Sequence, residues 1–213
     1  MFSLRKPTES SIRHNLEIAR TMPGSYGVAF QTQYGPEDLH VPHGFVRGHM
    51  RTQIGHGRKA FEAACAALRR WEHFNLDWVR VANPEVSIEP GEIVAVEAHT
   101  FGLWSVNYSR ILYVIDEPNR FGFGYGTTPM HVERGEERFL IEHYPVSGEV
   151  YYDLLAVSQP AHWLVKLASP FARGKQRRFG RESHAKMAQV VAAAVRTEIP
   201  VETTKHKGGT EIA

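Results

Sequence analysis

The hydrophobic residues between positions 58 and 74 repeat with the period of an α-helix. The apolar stripe consists of Phe61, Ala64, Cys65, Leu68 and Trp71. Spacings of three and four residues place all of them on one face, so the pattern predicts a helix over 58–74 with that face buried. Cys65 belongs to the stripe, which predicts a small core residue rather than a nucleophile.

From residue 78 to residue 158 the apolar residues alternate with polar ones, and the period becomes two. Strands are predicted at 78–82, 92–100, 103–116, 120–127, 136–144 and 149–158. The segments between these strands are short. Short connections join neighbouring antiparallel strands, so the pattern predicts an antiparallel meander.

The helical pattern returns on both sides of the predicted sheet. A short helix is predicted over 8–22, with Thr8 or Ser10 as its N-cap. Residues 160–196 are also helical in pattern. Pro170 and Gly174 are expected to divide them into a short helix near 161–169 and a longer one from about 175 to 196.

The stretch from residue 24 to residue 57 is rich in glycine, histidine and proline and has little periodicity. It is long for a loop, which indicates a functional arm or short strands that the pattern does not reveal. The role of its histidine-rich part, residues 40–56, is left open.

The order of elements predicts an α+β fold. A curved antiparallel sheet is expected to wrap around a long C-terminal helix, an arrangement called a helix-grip, with helical segments at the N-terminus. Such an arrangement leaves a cavity between sheet and helix. The predicted division is an N-terminal arm at 1–45, a helix-grip domain at 46–196 and a disordered tail at 197–213.

The composition of the chain excludes several classes of protein. The 213 residues are 42% hydrophobic, enough for a substantial core, and the net charge of +2 is too small for a dedicated nucleic-acid binder. A single cysteine excludes an intramolecular disulfide. The first residues lack the apolar stretch of a secretory signal, and no apolar run is long enough to span a bilayer, so a cytoplasmic protein is expected.

The strand "FGFGYG" places three aromatic side chains on one face and three glycines on the other. A phosphate-binding loop requires a helix directly after its glycines, whereas here a turn and another strand follow. The phosphate interpretation is therefore disfavoured. The glycines are expected to permit curvature or the close approach of another group.

Seven residues are candidates for the cavity. The predicted lining residues are Tyr108, Phe123, Tyr125, Phe139 and Tyr152, and the predicted polar anchors are Arg110 and Glu136. Arg110 lies on a mostly apolar strand face and needs a carboxylate or carbonyls; its candidate partners are Glu136, Glu137 and Asp153. Such a pair could anchor an acidic headgroup or hold the sheet together.

Three residues are candidate acid–base groups, namely His131, Glu136 and Asp153. Each would need burial and a partner to tune its pKa; the alternative is a solvated hairpin with exposed ion pairs. Among the crowded histidines only His40 and His43 are spaced as a ligand pair. No metal site and no cofactor are therefore predicted.

The region 166–186 has seven lysines and arginines and a single acidic residue. A basic amphipathic helix of this kind could lie on an anionic membrane surface. The alternative is the solvated outer face of the helix that covers the sheet.

Three segments, 55–71, 109–139 and 158–179, resemble the uncharacterised DUF1990 family. The hairpin that contains Gly135, Glu136 and Glu137 is the most specific part, and the likeness extends from about residue 45 to residue 190. The resemblance implies a fold akin to the START/Bet v 1 helix-grip class. Proteins of that class commonly hold hydrophobic ligands, some are cyclases or hydrolases, and one plant relative is associated with a chloroplast envelope channel. No catalytic residues carry over from the resemblance.

These inferences predict a protein that binds a hydrophobic or lipid-like small molecule between the sheet and the C-terminal helix. One alternative is an enzyme of the cyclase or hydrolase type that uses the same cavity. Another is a peripheral membrane or envelope-associated protein. The sequence names neither the ligand nor a reaction, and it leaves the oligomeric state open.

Overall fold

The computed structural model describes residues 2–25, 32–39, 41–160 and 169–197, without the side chains of 160 and 169–173. The helices are α1 (Glu9–Thr21), α2 (Arg58–Arg69) and α3 (Ser169–Thr197), and single 3-10 turns lie at Thr32–Tyr34 and Glu72–Phe74. The strands are β1 (Phe2–Ser3), β2 (Val46–His56), β3 (Val79–Val81), β4 (Ile93–Thr100), β5 (Leu103–Glu117), β6 (Arg120–Thr127), β7 (Glu133–His143) and β8 (Glu149–Pro160).

All eight strands belong to one antiparallel sheet. Its order is β2-β8-β7-β6-β5-β4-β3, and β1 pairs with β5 outside this path. The curled sheet with its long C-terminal helix confirms the predicted fold class. Strand β2 was not predicted, because it lies at the edge of the sheet with most side chains exposed, and only Ile54 in it is buried. Its sequence therefore lacks the alternation of a half-buried strand.

The concave face of the sheet packs against α2 and α3. Phe123, Phe139 and Tyr152 are fully buried there and belong to the same core cluster as Leu68 and Met187. Helix α2 is shorter than predicted. The chain leaves it through Trp71, whose φ of 61° is left-handed, and continues as the 3-10 turn Glu72–Phe74.

Cys65 lies in this core as the stripe predicted, with 4% of its surface exposed. Burial raises the pKa of its thiol to about 12. The thiol is therefore protonated at neutral pH and is a poor nucleophile.

Helix α3 runs without interruption from Ser169 to Thr197. The predicted break at Gly174 is wrong, because the helix continues through that residue, and Pro170 falls in the first described turn, where its missing N–H has no intrahelical partner to lose. The predicted short helix near 161–169 and the predicted tail lie almost entirely outside the described residues. Among the described helices, none is both long and apolar enough to cross a membrane.

The convex face of the sheet is covered by the N-terminal residues. Thr8 caps α1 as predicted, since its Oγ1 accepts a hydrogen bond from the backbone N–H of Ser11 at 3.2 Å. Ile12 and Ala19 of α1 pack on the outer side of β4 and β5. These residues thus form a second layer on the sheet.

The glycine face of β6 accommodates an aromatic side chain of the neighbouring strand β5. A Cβ at Gly124 would overlap the ring of Tyr113, whose hydroxyl lies 2.6 Å from Oγ1 of Thr32. The register of β5 against β6 shifts between Ile111 and Tyr113, and the irregularity directs the Tyr113 ring over the glycine. The glycine therefore makes room for an aromatic ring.

We expect Gly124→Ala to lower the free energy of unfolding by about 1–3 kcal/mol, because the Tyr113 ring must leave its place. Urea denaturation measures the loss. In a Tyr113→Ala background the same substitution should cost much less. Equal costs in the two backgrounds would contradict the explanation.

Candidate functional site

A cavity of about 170 Å³ lies between the concave face of the sheet and α3. Its apolar wall consists of Phe74, Trp78, Val79, Val96, Ala98, Ala156 and Phe179. Its polar lining residues, called the polar end below, are Ser105, Asn107, Tyr125, Thr127, His131, Glu133, Glu136, Glu137, Ser158, Lys175 and Gln176. An apolar wall with a few convergent polar groups at one end is typical of a small-molecule site.

The sequence Gly135-Glu136-Glu137 on β7 positions the polar end. A Cβ at Gly135, where φ is +151°, would overlap the carbonyl of Val157 on the neighbouring strand, so only glycine fits. The Gly135 N–H donates to Oγ1 of Thr127 at 2.9 Å. Strand alternation then sends the Glu136 side chain to the convex face and the Glu137 side chain into the cavity.

Glu137 is the most perturbed acid in the cavity. It lies directly opposite Tyr125 on β6, and the Tyr125 hydroxyl donates to its Oε2 at 2.6 Å. Burial raises the pKa of Glu137 to about 7; the hydrogen bond from Tyr125 lowers it and the charge of Glu133 raises it. The carboxyl can therefore donate or accept a proton near neutral pH.

Glu137 is predicted from the sequence as a candidate partner of Arg110 and as part of the hairpin that resembles the family, but not as a cavity residue. The signal that could have found it is the shared face of Glu137 and Phe139, because Phe139 was already a predicted cavity residue.

Glu133 and Lys175 form a second polar pair where α3 meets β7. Gln176 donates to Oε2 of Glu133 at 2.8 Å. Burial raises the pKa of Glu133, although hydrogen bonds from Ser158 and Gln176 and the charge of Lys175 oppose the shift. Burial lowers the pKa of Lys175, while Glu133 raises it. Each charge therefore stabilises the other.

His131 borders the same cavity in the turn before β7. Its Nδ1 accepts the backbone N–H of Glu133 at 2.9 Å. Burial lowers the pKa of His131 to about 4, so the ring is neutral at pH 7. Because Nδ1 is the acceptor, the neutral ring carries its proton on Nε2.

The other two acid–base candidates belong to a buried polar network on the convex face. Oδ1 of Asp153 accepts from Nη2 of Arg138 at 2.8 Å, and its Oδ2 lies 2.9 Å from Nε2 of His49. Glu136 borders the cavity wall, but its carboxylate accepts from Oγ1 of Thr32 at 3.1 Å. His131 and Glu136 both border the cavity, whereas Asp153 does not, so the structure brings together two of the three acid–base candidates, and the Glu136 carboxylate is bound to Thr32 on the convex face.

Arg110 also lies on the convex face. Its Nη2 donates to the carbonyls of Ala19, Arg20 and Met22, at 3.2, 3.0 and 2.7 Å, where α1 ends. The expected carboxylate partners are thus replaced by the partially negative end of a helix. The prediction of Arg110 as a polar anchor of the cavity is corrected accordingly.

Tyr108 is buried beneath α1 and borders a second cavity, of about 800 Å³, on the outer side of the sheet. Of the remaining predicted lining residues, Tyr125 borders the inner cavity. Phe123, Phe139 and Tyr152 are fully buried in the core beneath it.

His49 and His56, two of the described histidines of the segment 40–56, have separate partners. His49 contacts Asp153, and Nε2 of His56 lies 2.8 Å from the carbonyl of Ser147; His40 lies outside the described residues. Within the described ranges, no group of three or more histidine, cysteine or acidic side chains is arranged to hold a metal ion.

The basic surface predicted at 166–186 is partly used inside the protein. Arg178 forms an ion pair with Glu182 at 2.7 Å and lies over the ring of Trp78. Lys175 borders the cavity, whereas Arg177 and Arg181 are exposed. The side chains of Lys166 and Arg173 lie outside the described part.

Fold and site together define a helix-grip protein with an internal cavity that has one polar end. Residues 31–186 match the family described as "Domain of unknown function (DUF1990)", and the chain belongs to this family.

Two relatives carry the name UPF0548 protein and cover most of both chains. The protein of Dictyostelium discoideum is 34% identical over 209 residues, which are 91% of this chain and 97% of the relative. The protein of Deinococcus radiodurans is 36% identical over 198 residues, 88% of this chain and 96% of the relative.

Two solved structures resemble the chain more distantly. The crystal structure of Ara h 8.0201 has 13% identity and a TM-score of 0.44, covering 70% of this chain and 99% of that one. The di-domain ARO/CYC BexL has 13% identity and a TM-score of 0.48, covering 70% of this chain and 51% of that one.

Proposed function

We propose that the protein binds a small amphipathic molecule in the cavity between the sheet and α3. The observation that carries the proposal is the combination of an aromatic wall with a single polar end that contains Glu137. An apolar ligand body would displace water from the wall, and the polar end would fix its orientation.

The wall offers large apolar surfaces from separate elements. Phe74 of the 3-10 turn stacks on Phe179 of α3, with ring centroids 5.0 Å apart. Trp78, next to β3, completes this side and is held by a hydrogen bond from its Nε1 to Glu182 at 2.6 Å. These rings are held in place before any ligand arrives, which lowers the entropic cost of binding.

The polar end is preorganised as well. The Tyr125 hydroxyl holds the Glu137 carboxyl, and the Gln176 amide holds that of Glu133. The volume of about 170 Å³ limits the enclosed part of a ligand to a small group. The helix-grip class that the sequence resembles commonly holds hydrophobic ligands, and the geometry supports the same use here.

Native mass spectrometry of the purified full chain tests the proposal. We expect a non-covalent adduct, and we expect Ala98→Phe to abolish it by filling the cavity from β4. Ala185→Phe, on the exposed side of α3, is the matched control and should keep the adduct. An adduct that survives Ala98→Phe would place the ligand elsewhere.

A second candidate function is catalysis in the same cavity. Glu137, with a pKa of about 7, and the neutral His131 border one space, and a carboxyl with such a pKa is suited to proton transfer at neutral pH. If the mass of the bound molecule changes in the unsubstituted protein but not in a Glu137 variant, the protein is an enzyme rather than a carrier.

Peripheral membrane contact through 166–186 stays a prediction. It has support from the exposed side chains of Arg177 and Arg181, and sedimentation with anionic vesicles at low salt would test it.

A further inference from the structure

The polar end of the cavity carries more acidic than basic groups. The titratable side chains that border it are Tyr125 from β6, His131 from the preceding turn, Glu133 and Glu137 from β7, and Lys175 from α3. Glu136 also borders the wall, with its carboxylate bound to Thr32 on the convex face. Strands β4, β5 and β8 contribute only apolar, hydroxyl and amide side chains among the described residues. The two neighbouring guanidinium groups, Arg110 and Arg138, make their hydrogen bonds on the convex face.

The one lysine that borders the cavity in the described part of the chain acts on Glu133 through its charge, without a close ion pair. The charge of Lys175 acts on the Glu133 carboxyl, and the charge of Glu133 acts on the Lys175 amine. His131 is neutral at pH 7. No cationic side chain of the polar end is therefore left for the other carboxyl.

Glu137 has no counter-ion within the described part of the chain. Its one side-chain hydrogen bond comes from the neutral Tyr125 hydroxyl, and the charge that acts on it most is that of Glu133, which has the same sign. Even a half-buried carboxylate without a cation is costly, and a ligand that brings a cation removes the cost.

The rings around the cavity favour a cation too. Phe74, Tyr125 and Phe179 present aromatic surfaces, whose faces are electron-rich and attract ammonium groups. Trp78 already has the Arg178 guanidinium 4.8 Å from its ring centroid, so one ring at the edge of this cavity holds a cation.

We propose that the ligand of this cavity carries a protonated amine on a small apolar body, with Glu137 as its counter-ion. This inference depends on the proposed binding function. An acidic headgroup anchored by Arg110, one of the two uses left open for that residue, is disfavoured because Arg110 lies outside the cavity.

The pH dependence of affinity distinguishes the ligand classes. An ammonium group binds the ionised Glu137, so its affinity should rise with pH through the pKa of Glu137 and then become constant. An acidic ligand prefers the protonated carboxyl, and its affinity should fall over the same range. A neutral alcohol can donate to the ionised form or accept from the protonated form, so its affinity should change little.

Isothermal titration calorimetry with three probes of similar shape tests the inference. Phenethylamine, phenethyl alcohol and phenylacetate are titrated into the full chain at pH 6, 7 and 8. At pH 8 we expect the amine to bind at least about tenfold more tightly than the alcohol.

Two substitutions assign the preference to Glu137. Glu137→Gln should abolish the preference for the amine, whereas Glu117→Gln, at the exposed end of β5 and outside the cavity lining, should retain it. If Glu137→Gln does not fold, the pH dependence of the affinity of the unsubstituted protein for the amine tests the inference by itself.

Several outcomes would overturn the inference. Tightest binding of phenylacetate, or an amine affinity that falls as the pH rises, would contradict the ligand class. If the alcohol binds as tightly as the amine and Ala98→Phe abolishes both, the binding function stands and the ligand class is wrong. If none of the three probes binds, the ligand class is also wrong, and the native mass spectrum decides separately whether the cavity holds another molecule.

Discussion

Replacing Arg138 by methionine should lower the free energy of unfolding by about 3–5 kcal/mol, because the substitution leaves a buried carboxylate without its main partner. Arg138 and Asp153 are 2% and 3% exposed, and the pair is 2.8 Å long. Nη1 of Arg138 also donates to the carbonyl of Thr32 at 3.0 Å. The side chain thus joins β7, β8 and the turn Thr32–Tyr34 that covers them.

Urea denaturation of three variants measures this effect. Arg134→Met, an exposed position on the same strand, is the control and should stay within about 0.5 kcal/mol of the unsubstituted protein. The double substitution Arg138→Met with Asp153→Leu should recover part of the loss, because it removes the unpaired charge as well. A loss for Arg138→Met no larger than for Arg134→Met would show that the ion pair is dispensable.

The elements with a clear hydrophobic period could be predicted from the sequence. Strand β6 has the predicted bounds, and Thr8 caps α1, because both signals are local. Strand β2 could not be predicted, because its pairing with β8 depends on the sheet being formed already. The continuation of α3 through Gly174 shows the same limit, since a glycine costs a helix only about 1 kcal/mol and packing against the sheet can offset it.

The candidate site was predicted only in part, and the reason is geometric. Alternation gives the two faces of β7 correctly, with Glu137 beside Phe139 and Glu136 beside Arg138. The alternation of side chains along β7 does not indicate which of the two faces is concave. The sequence-based list therefore combined Tyr125 from the inner face with Glu136 from the outer one.

The three consecutive residues at the start of the β7 hairpin strand therefore have three different roles. Gly135 allows the close packing of two strands, Glu136 joins the outer polar network, and Glu137 supplies the acid of the cavity. A substitution at Gly135 or Glu136 would act on binding through the fold. Of the three, only Glu137 has its side-chain hydrogen bond inside the cavity, and its charge affects both ligand binding and stability.

Glu137→Gln should therefore stabilise the protein at pH 8, by up to about 3 kcal/mol, in spite of removing a residue of the proposed site. The folded-state pKa of about 7 lies above the ordinary value of 4.5, so folding favours the protonated carboxyl. The resulting destabilisation is absent below pH 4.5, grows between pH 4.5 and 7 and is constant above; glutamine remains neutral and still accepts the Tyr125 hydroxyl.

The difference in unfolding free energy between the two proteins, followed from pH 4.5 to pH 8, measures the effect of Glu137 alone. His73 and His131, with pKa values lowered by burial to about 3 and about 4, act in the opposite direction below pH 6.5, but they are common to both proteins and cancel. A difference that does not change with pH would contradict the raised pKa. If the variant gains stability and also loses its preference for the amine, then Glu137 is kept ionisable at a cost to the fold, which is expected of a residue that serves a ligand.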